Sequence, residues 1–332
     1  MIIFRKFFAS AISIAIVSAQ LPTAAYADNG PVKVTSGDAV RGTRTVAVGG
    51  FTVGFIFQSV DQTKGEGGLI GAFGGVTSAK SVLQGVTPVM MQAIADAAYA
   101  DFRTRLTAGG FRVVNDQAMF ATPEFAKLKP LTFPYDGKVL IDKKTQGKVT
   151  FVRPSTLPMG VMLPGDAFST GLGGIGASMA AGGAQYAMGN YAKASGQAVV
   201  DVVYLIDFSN AHRPGSFSMG GIKVTAGLSV VDDFSKLSLI MPSGKIARLT
   251  ISQPVAVEGD FATMTDNTKG KGVQTAMNVL GGLAAVGGLG GLRFGKSRTY
   301  VFTANPDAYQ AGAAKAATLA NARIVSQLTS LR

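Results

Sequence analysis

Val199-Val200-Asp201-Val202-Val203-Tyr204-Leu205-Ile206 holds a single charged side chain in eight residues. A strand that is apolar at odd and even positions alike has no face to give to water. It belongs inside a sheet that is covered on both sides. Two long helices are available to do the covering. One runs from Thr87, a suitable cap, through Pro88 at the first helical position, to about residue 108, with Ile94, Ala98, Phe102 and Arg105/Leu106 along one face and Gly109-Gly110 to end it. The other spans about 305–330. Asn305 can cap it, Pro306 and Asp307 suit its start, and Tyr309, Ala313, Ala316/Ala317, Ala320, Ile324, Leu328 and Leu331 trace its apolar face. The fold class is therefore α/β or α+β: a mixed sheet with two long helices (about 87–108 and 305–330) and Gly-rich insertions.

Further strands read out between these landmarks. Thr45–Phe57 is β-branched and aromatic, as one long strand or as two broken at Gly49-Gly50. With the first helix and Phe111–Val114 it makes a βαβ-like unit whose strands should run parallel. A short helix is expected near Pro123–Leu128, with strands at Gly137–Ile141 and Lys148–Val152. Pro154, Pro158 and Pro164 make an irregular connection. After Ala198–Phe208 comes a meander of Ile222–Val231, Lys236–Met241, Ile246–Ile251 and Val255–Met264, with Pro242-Ser243-Gly244-Lys245 as a hairpin turn and Arg298–Thr303 as a last strand. Residues 44–332 form one domain. Residues 28–43 are polar and read as a flexible N-terminal segment.

Residues 1–27 have the parts of a cleavable export signal in order. Arg5 and Lys6 are followed by an apolar run from Phe7 to Ala19, and Ala25-Tyr26-Ala27 offers a cleavage site. The run is shorter than the roughly 20 residues a lasting membrane anchor needs. The expected location is the periplasm or outer membrane of a Gram-negative bacterium. The chain has no Cys, which removes disulfides, Cys-ligated metals, Cys nucleophiles and a lipid anchor on Cys. The net charge is +12, with Lys127, Lys129, Lys138, Lys143, Lys144 and Lys148 as the nearest thing to a cluster. Such a surface suits an anionic envelope polymer or lipid head groups, or serves solubility alone; nucleic acid is not expected.

Glycine is the unusual component. There are 43 glycines in 332 residues, roughly double the usual share of about 7%, and they concentrate near 65–85, 165–196 and 270–295. Two of these stretches open on one motif. Asp61-Gln62-Thr63-Lys64-Gly65-Glu66-Gly67 matches Asp266-Asn267-Thr268-Lys269-Gly270-Lys271-Gly272, either by shared turn chemistry or as a duplicated element. The Walker spacing for a phosphate loop is absent from both. Gly174, Ser178 and Gly182 fall at four-residue spacing, as do Gly281 with Ala285 and Ala284 with Gly288. That spacing lets helices approach closely in lipid or at a subunit contact. Mobile loops, or hairpins that join a β-barrel only when several copies assemble, are the other readings.

Classical catalytic constellations find little support. The only His is His212, placed in a turn-like Asn210-Ala211-His212-Arg213-Pro214, and the Glu are Glu66, Glu124 and Glu258. No zinc set, Cys-His pair or Gly-x-Ser-x-Gly elbow can be assembled. Asp232-Asp233 and Glu258 with Asp260 read as solvated turns. Asp201 and Asp207 are the acids most committed to structure, with Asp207 near a strand end. No catalytic residue, metal or cofactor is assigned, and the expectation is a non-enzymatic protein.

Several of these parts together resemble the curli-secretion-channel family. They are Val46-Ala47-Val48-x-x-Phe51, the Asp61–Gly65 turn, the helix ending in Gly109-Gly110-Phe111-Arg112-Val113-Val114, and the strand Val199–Asp207 beyond a Gly-rich insertion. The resemblance covers roughly residues 44–210. It implies an α/β periplasmic domain whose copies each add two β-hairpins to an oligomeric outer-membrane barrel, with the Gly-rich insertions as the place for the hairpins. This chain departs from the family in lacking the Cys of a lipoprotein signal, and its Gly-rich stretches lack the clean alternation of barrel strands. The functional expectation is a homo-oligomer acting in outer-membrane assembly or secretion. The alternative is a soluble periplasmic binding or accessory module with a basic surface for anionic polymers or lipid head groups.

Overall fold

The computed structural model describes residues 30–64, 76–142, 145–166, 172–212, 223–268 and 297–332. Its backbone is a single branched sheet of 13 strands with five helices, a mixed parallel and antiparallel α+β arrangement.

The spine is β2 (Thr45–Lys64), one continuous strand of 20 residues, about 65 Å long at the usual rise. Gly49-Gly50 does not break it. The register against β7 (Ala198–His212) instead shifts between Val48 and Gly50. There a Cβ on Gly50 would lie 1.9 Å from Asp201 Oδ1, so glycine is what lets the two central strands close up around a buried carboxyl.

Over its first half β2 runs parallel to β7, which pairs in turn with β9 (Lys236–Ile240), β10 (Ile246–Ile251) and β1 (Val32–Thr35). The hairpin turn at Pro242–Lys245 is present: Gly244 takes φ +82° and Met241 N–H donates to Lys245 O. Residues 28–43 were expected to be loose. Val32–Thr35 instead pairs with Ile251–Arg248, and a 3-10 turn over Gly37–Val40 buries Val40 completely. Val32 and Val40 are few among polar neighbours, but β10 would otherwise present an unpaired edge.

At about Phe55 the sheet forks. β7 turns away to pair with β8 (Lys223–Val230), which carries β11 (Val255–Val257). On β2 its place is taken by β3 (Val76–Gln84), while β6 (Thr145–Val152) and β5 (Tyr135–Asp142) occupy the opposite side. β3 then pairs in parallel with β13 (Ser297–Ala304), and β13 with β12 (Ala262–Asp266). The distal half thus reads β5-β6-β2-β3-β13-β12. β3 falls inside what the sequence showed as a Gly-rich stretch. The strand expected over Val255–Met264 is two strands, parted at Gly259, whose φ is +155°.

The expected parallel pair of the βαβ-like unit is present: β4 (Arg112–Val113) lies against Thr45-Val46. α1 (Pro88–Ala108) precedes it, capped by the Thr87 hydroxyl, which accepts from Met90 N–H at 3.3 Å, and closed by Gly110 at φ +80°. Ile94, Ala98, Phe102 and Leu106 are fully buried; Arg105 instead lies outside the core, ion-paired with Asp101. α2 (Asp116–Phe120) and α3 (Pro123–Ala126) follow. α5 (Pro306–Ser330) packs beside α1 on one face of the sheet, its Tyr309, Ala313, Ala316, Ala317, Ala320, Ile324 and Leu328 buried. Asn305 makes no side-chain cap there; its N–H donates to Phe261 O and its carbonyl accepts from Tyr309 N–H. Phe51 at the sheet centre meets Tyr99, Phe102 and Tyr204 at ring separations of 5.4, 5.5 and 5.8 Å.

The other face of β7 and β9 is covered by α4 (Leu172–Ser195) and the irregular connection 153–166. The segment near 165–196, read as an insertion, is therefore mostly a 24-residue helix. Ala177, Ala181, Ala184, Met188 and Ala192 recur at three- and four-residue spacing and bury one narrow stripe. That burial offsets the poor helix propensity of its glycines.

Candidate assembly surfaces and buried acid clusters

α4 buries its alanine stripe and leaves the opposite side bare. Ile175, Met179 and Tyr186 are 59, 74 and 71% exposed, at spacings that put them on one outer face. Ser178 and Gly182 lie between them, exposed, and Gly174 lies in the first turn. A Cβ on Gly176, Gly182 or Gly189 would meet nothing within 4 Å. Of the small residues singled out from the sequence, Ser178 and Gly182 thus face outward from the protomer. The partner set Gly281, Ala284, Ala285 and Gly288 lies outside the described residues. No helix among the described residues is long and apolar enough to cross a membrane, a fact that bears on helical spans only.

The repeated motif marks equivalent places in two hairpins. The first copy, read as a turn, is instead strand: Asp61, Thr63 and Lys64 belong to the end of β2, paired with β3, whereas Asp266 ends β12 and Thr268 follows it; Gly65, Lys269 and Gly270 lie outside the described residues. In the second copy Asp266 Oδ1 accepts from the Thr268 N–H and hydroxyl, and the Thr268 hydroxyl accepts from Thr299 N–H. This Asx-type turn locks the strand end onto β13. Because β3 and β13 are parallel neighbours, hairpins β2–β3 and β12–β13 stand side by side and open toward the same end of the sheet. The reading of a hairpin near 165–196 is corrected by the helix there; residues 65–75 and 269–296 lie outside the described residues.

Two acid clusters sit in the core. Asp201 is fully buried in β7, and burial first, then the charge of Asp166 and a hydrogen bond with it, holds Asp201 well above the usual carboxylate range, against the pull of Lys236. Asp166 also accepts from Leu163 N–H at 2.7 Å and faces Lys236 Nζ at 2.9 Å, while that ammonium donates to Gly165 O at 3.0 Å. The cluster ties the connection 153–166 to β7 and β9.

The second cluster lies at the fork. Asp207 is not near a strand end, since β7 continues to His212; nor is His212 in a turn, being paired with Lys223. Burial pushes the Asp207 carboxyl up to about 7, Asp61 adding to the rise and hydrogen bonds from Ser209 and Phe208 opposing it. Burial, then the charge of Asp207, raises the Tyr309 phenol above its ordinary value. Ser59 and Ser81 are cross-strand partners in β2 and β3. Their hydroxyls and that of Tyr309 are buried with no hydrogen-bond partner, a costly arrangement that water relieves wherever it can enter.

A third polar knot was invisible in the sequence. Asn321, completely buried in α5, donates to Ala98 O at 2.8 Å and Asp101 Oδ2 at 2.9 Å and accepts from the Tyr204 hydroxyl at 2.9 Å. An Asn within an alanine-rich helix carries no pattern signal; only its three partners reveal it. Asp116 is a fourth case: it accepts from Val48 N–H at 3.1 Å and Tyr99 OH at 2.8 Å and pairs with Arg103.

Among the described residues no three or more His, Asp or Glu side chains group as metal ligands. Comparison with protein-family models, with curated proteins and with solved structures finds no match in any of the three.

Proposed function

We propose that this chain is a non-enzymatic cell-envelope protein that acts as a homo-oligomer in outer-membrane assembly or secretion. The observation that carries the reading is the side-by-side placement of hairpins β2–β3 and β12–β13. Each is interrupted by a Gly-rich segment, and both open toward one end of the sheet. A folded core bearing two adjacent hairpins is suited to adding strands to a shared barrel.

Two further features favour several copies over one. Among the described residues the distal sheet ends in different strands, β5 on one side and β12 on the other, which run in the same direction. Unlike edges join head to tail, and such contacts generate rings when the rotation closes. The bare face of α4, with Ile175, Met179 and Tyr186 around Gly182, is a second surface for a neighbouring copy. Export would follow from residues 1–27.

The test is envelope fractionation with a high-salt wash, followed by sizing of the detergent extract. Retention through the wash and release as a large oligomer support the reading. Recovery in the soluble fraction as a monomer removes it. In that case the second reading applies, a periplasmic binding module, which the exposed lysines of β5 and β6 favour.

A further inference from the structure

The β5–β6 hairpin sets Lys138 directly opposite Lys148 in an antiparallel ladder. The Cβ atoms of such partners stand about 5 Å apart, and like charges placed so repel. Both side chains are exposed, and neither has a hydrogen bond or ion pair with another described residue. Two residues further along, Asp136 opposes Thr150, whose hydroxyl donates to Asp136 Oδ1 at 2.7 Å. These side chains and Gly137 line an open cleft of about 420 Å³ with Phe57 in its wall. Phe57 reaches the cleft because the β2–β6 register slips between Ile56 and Gln58, leaving Phe57 without a β6 partner.

We propose that this cleft binds the phosphate group of a polyol phosphomonoester. Lys138 and Lys148 approach the phosphate from two strands, and the anion removes the repulsion that their pairing creates. Phe57 offers an apolar wall to the carbon skeleton. Asp136, held at one oxygen by Thr150, keeps its other oxygen to accept from a ligand hydroxyl and repels a second phosphate. The volume matches one sugar-sized group rather than a polymer. A soluble sugar phosphate and a phosphorylated lipid head group share this chemistry. The site does not depend on the oligomer reading, because its loss would leave membrane retention and oligomer size unchanged.

The test uses the full chain at low salt with two probes: glucose 6-phosphate in solution, and phosphatidylcholine vesicles with and without phosphatidic acid. Lys138→Gln and Lys148→Gln should each weaken binding about tenfold, the loss of one charged contact. Lys315→Gln, the same charge change on α5, should leave it unaltered. Melting of the ligand-free Lys148→Gln protein at or above the native temperature shows that the variant folds and that a repulsion has gone. Binding of the soluble probe assigns a soluble ligand; binding of phosphatidic acid vesicles alone assigns a head group. Absence of binding to both probes, native-like binding by the double lysine variant, or an equal loss in Lys315→Gln overturns the site.

Discussion

Asn321 shows how much one side chain can hold. It joins α1, α5 and β7 through three hydrogen bonds in a completely buried place. Asn321→Leu would leave the buried Tyr204 hydroxyl without its acceptor and take one donor from Asp101, and each such loss costs about 1–3 kcal/mol. A destabilisation of about 2–4 kcal/mol is expected, measured by denaturant unfolding. Asp207 makes a prediction about pH. Its folded-state pKa, about 7, lies above the ordinary 3.8, so the folded protein binds more protons than the unfolded chain between those values. Stability should therefore fall as pH rises from near 3.8 to about 7 and level off above. The full shift would amount to about 4 kcal/mol, and the partial exposure of Asp207 reduces that. Asp207→Asn should flatten this slope in melts taken across the range.

α4 separates what a helix needs for folding from what it offers outward. Its buried side is alanine and methionine; its outer side carries glycines that touch nothing. Gly182→Ala should therefore stabilise the protomer by about 0.5–1 kcal/mol, since alanine costs a helix less entropy. A bulky Gly182→Trp should leave the melting of the protomer nearly unchanged but reduce the oligomer seen in sizing of detergent extracts. If neither substitution affects assembly, the outer face of α4 is not a subunit contact. The four-residue spacing of Gly174, Ser178 and Gly182 was legible in the sequence, and so was the absence of charge around it. That the segment is a helix packed on the sheet was not legible, because glycine disfavours helix locally and only the contact with β7 and β9 offsets it.

At the scale of the whole molecule the core and the hairpins are separable. The main apolar cluster lies among the proximal strands, α1, α4 and α5, away from the hairpin ends at Lys64/Val76 and Asp266/Ser297. Replacing residues 65–75 and 269–296 with two-residue turns should leave the melting temperature within a few degrees of native, while abolishing outer-membrane retention in fractionation. By itself the sequence determined the central strand at Val199–Ile206, the long helices α1 and α5 and most of the meander, because apolar periodicity and Pro, Gly and Thr punctuation are local signals. Only the tertiary structure decided the rest. It extended β2 through Gly49-Gly50 and placed β3 within a Gly-rich stretch. It also set the two hairpins in parallel register and brought Asp166, Asp201 and Lys236 together across the chain. Each of these depends on partners far away in sequence, and backbone pairing or buried charge leaves no trace in the residues until those partners meet.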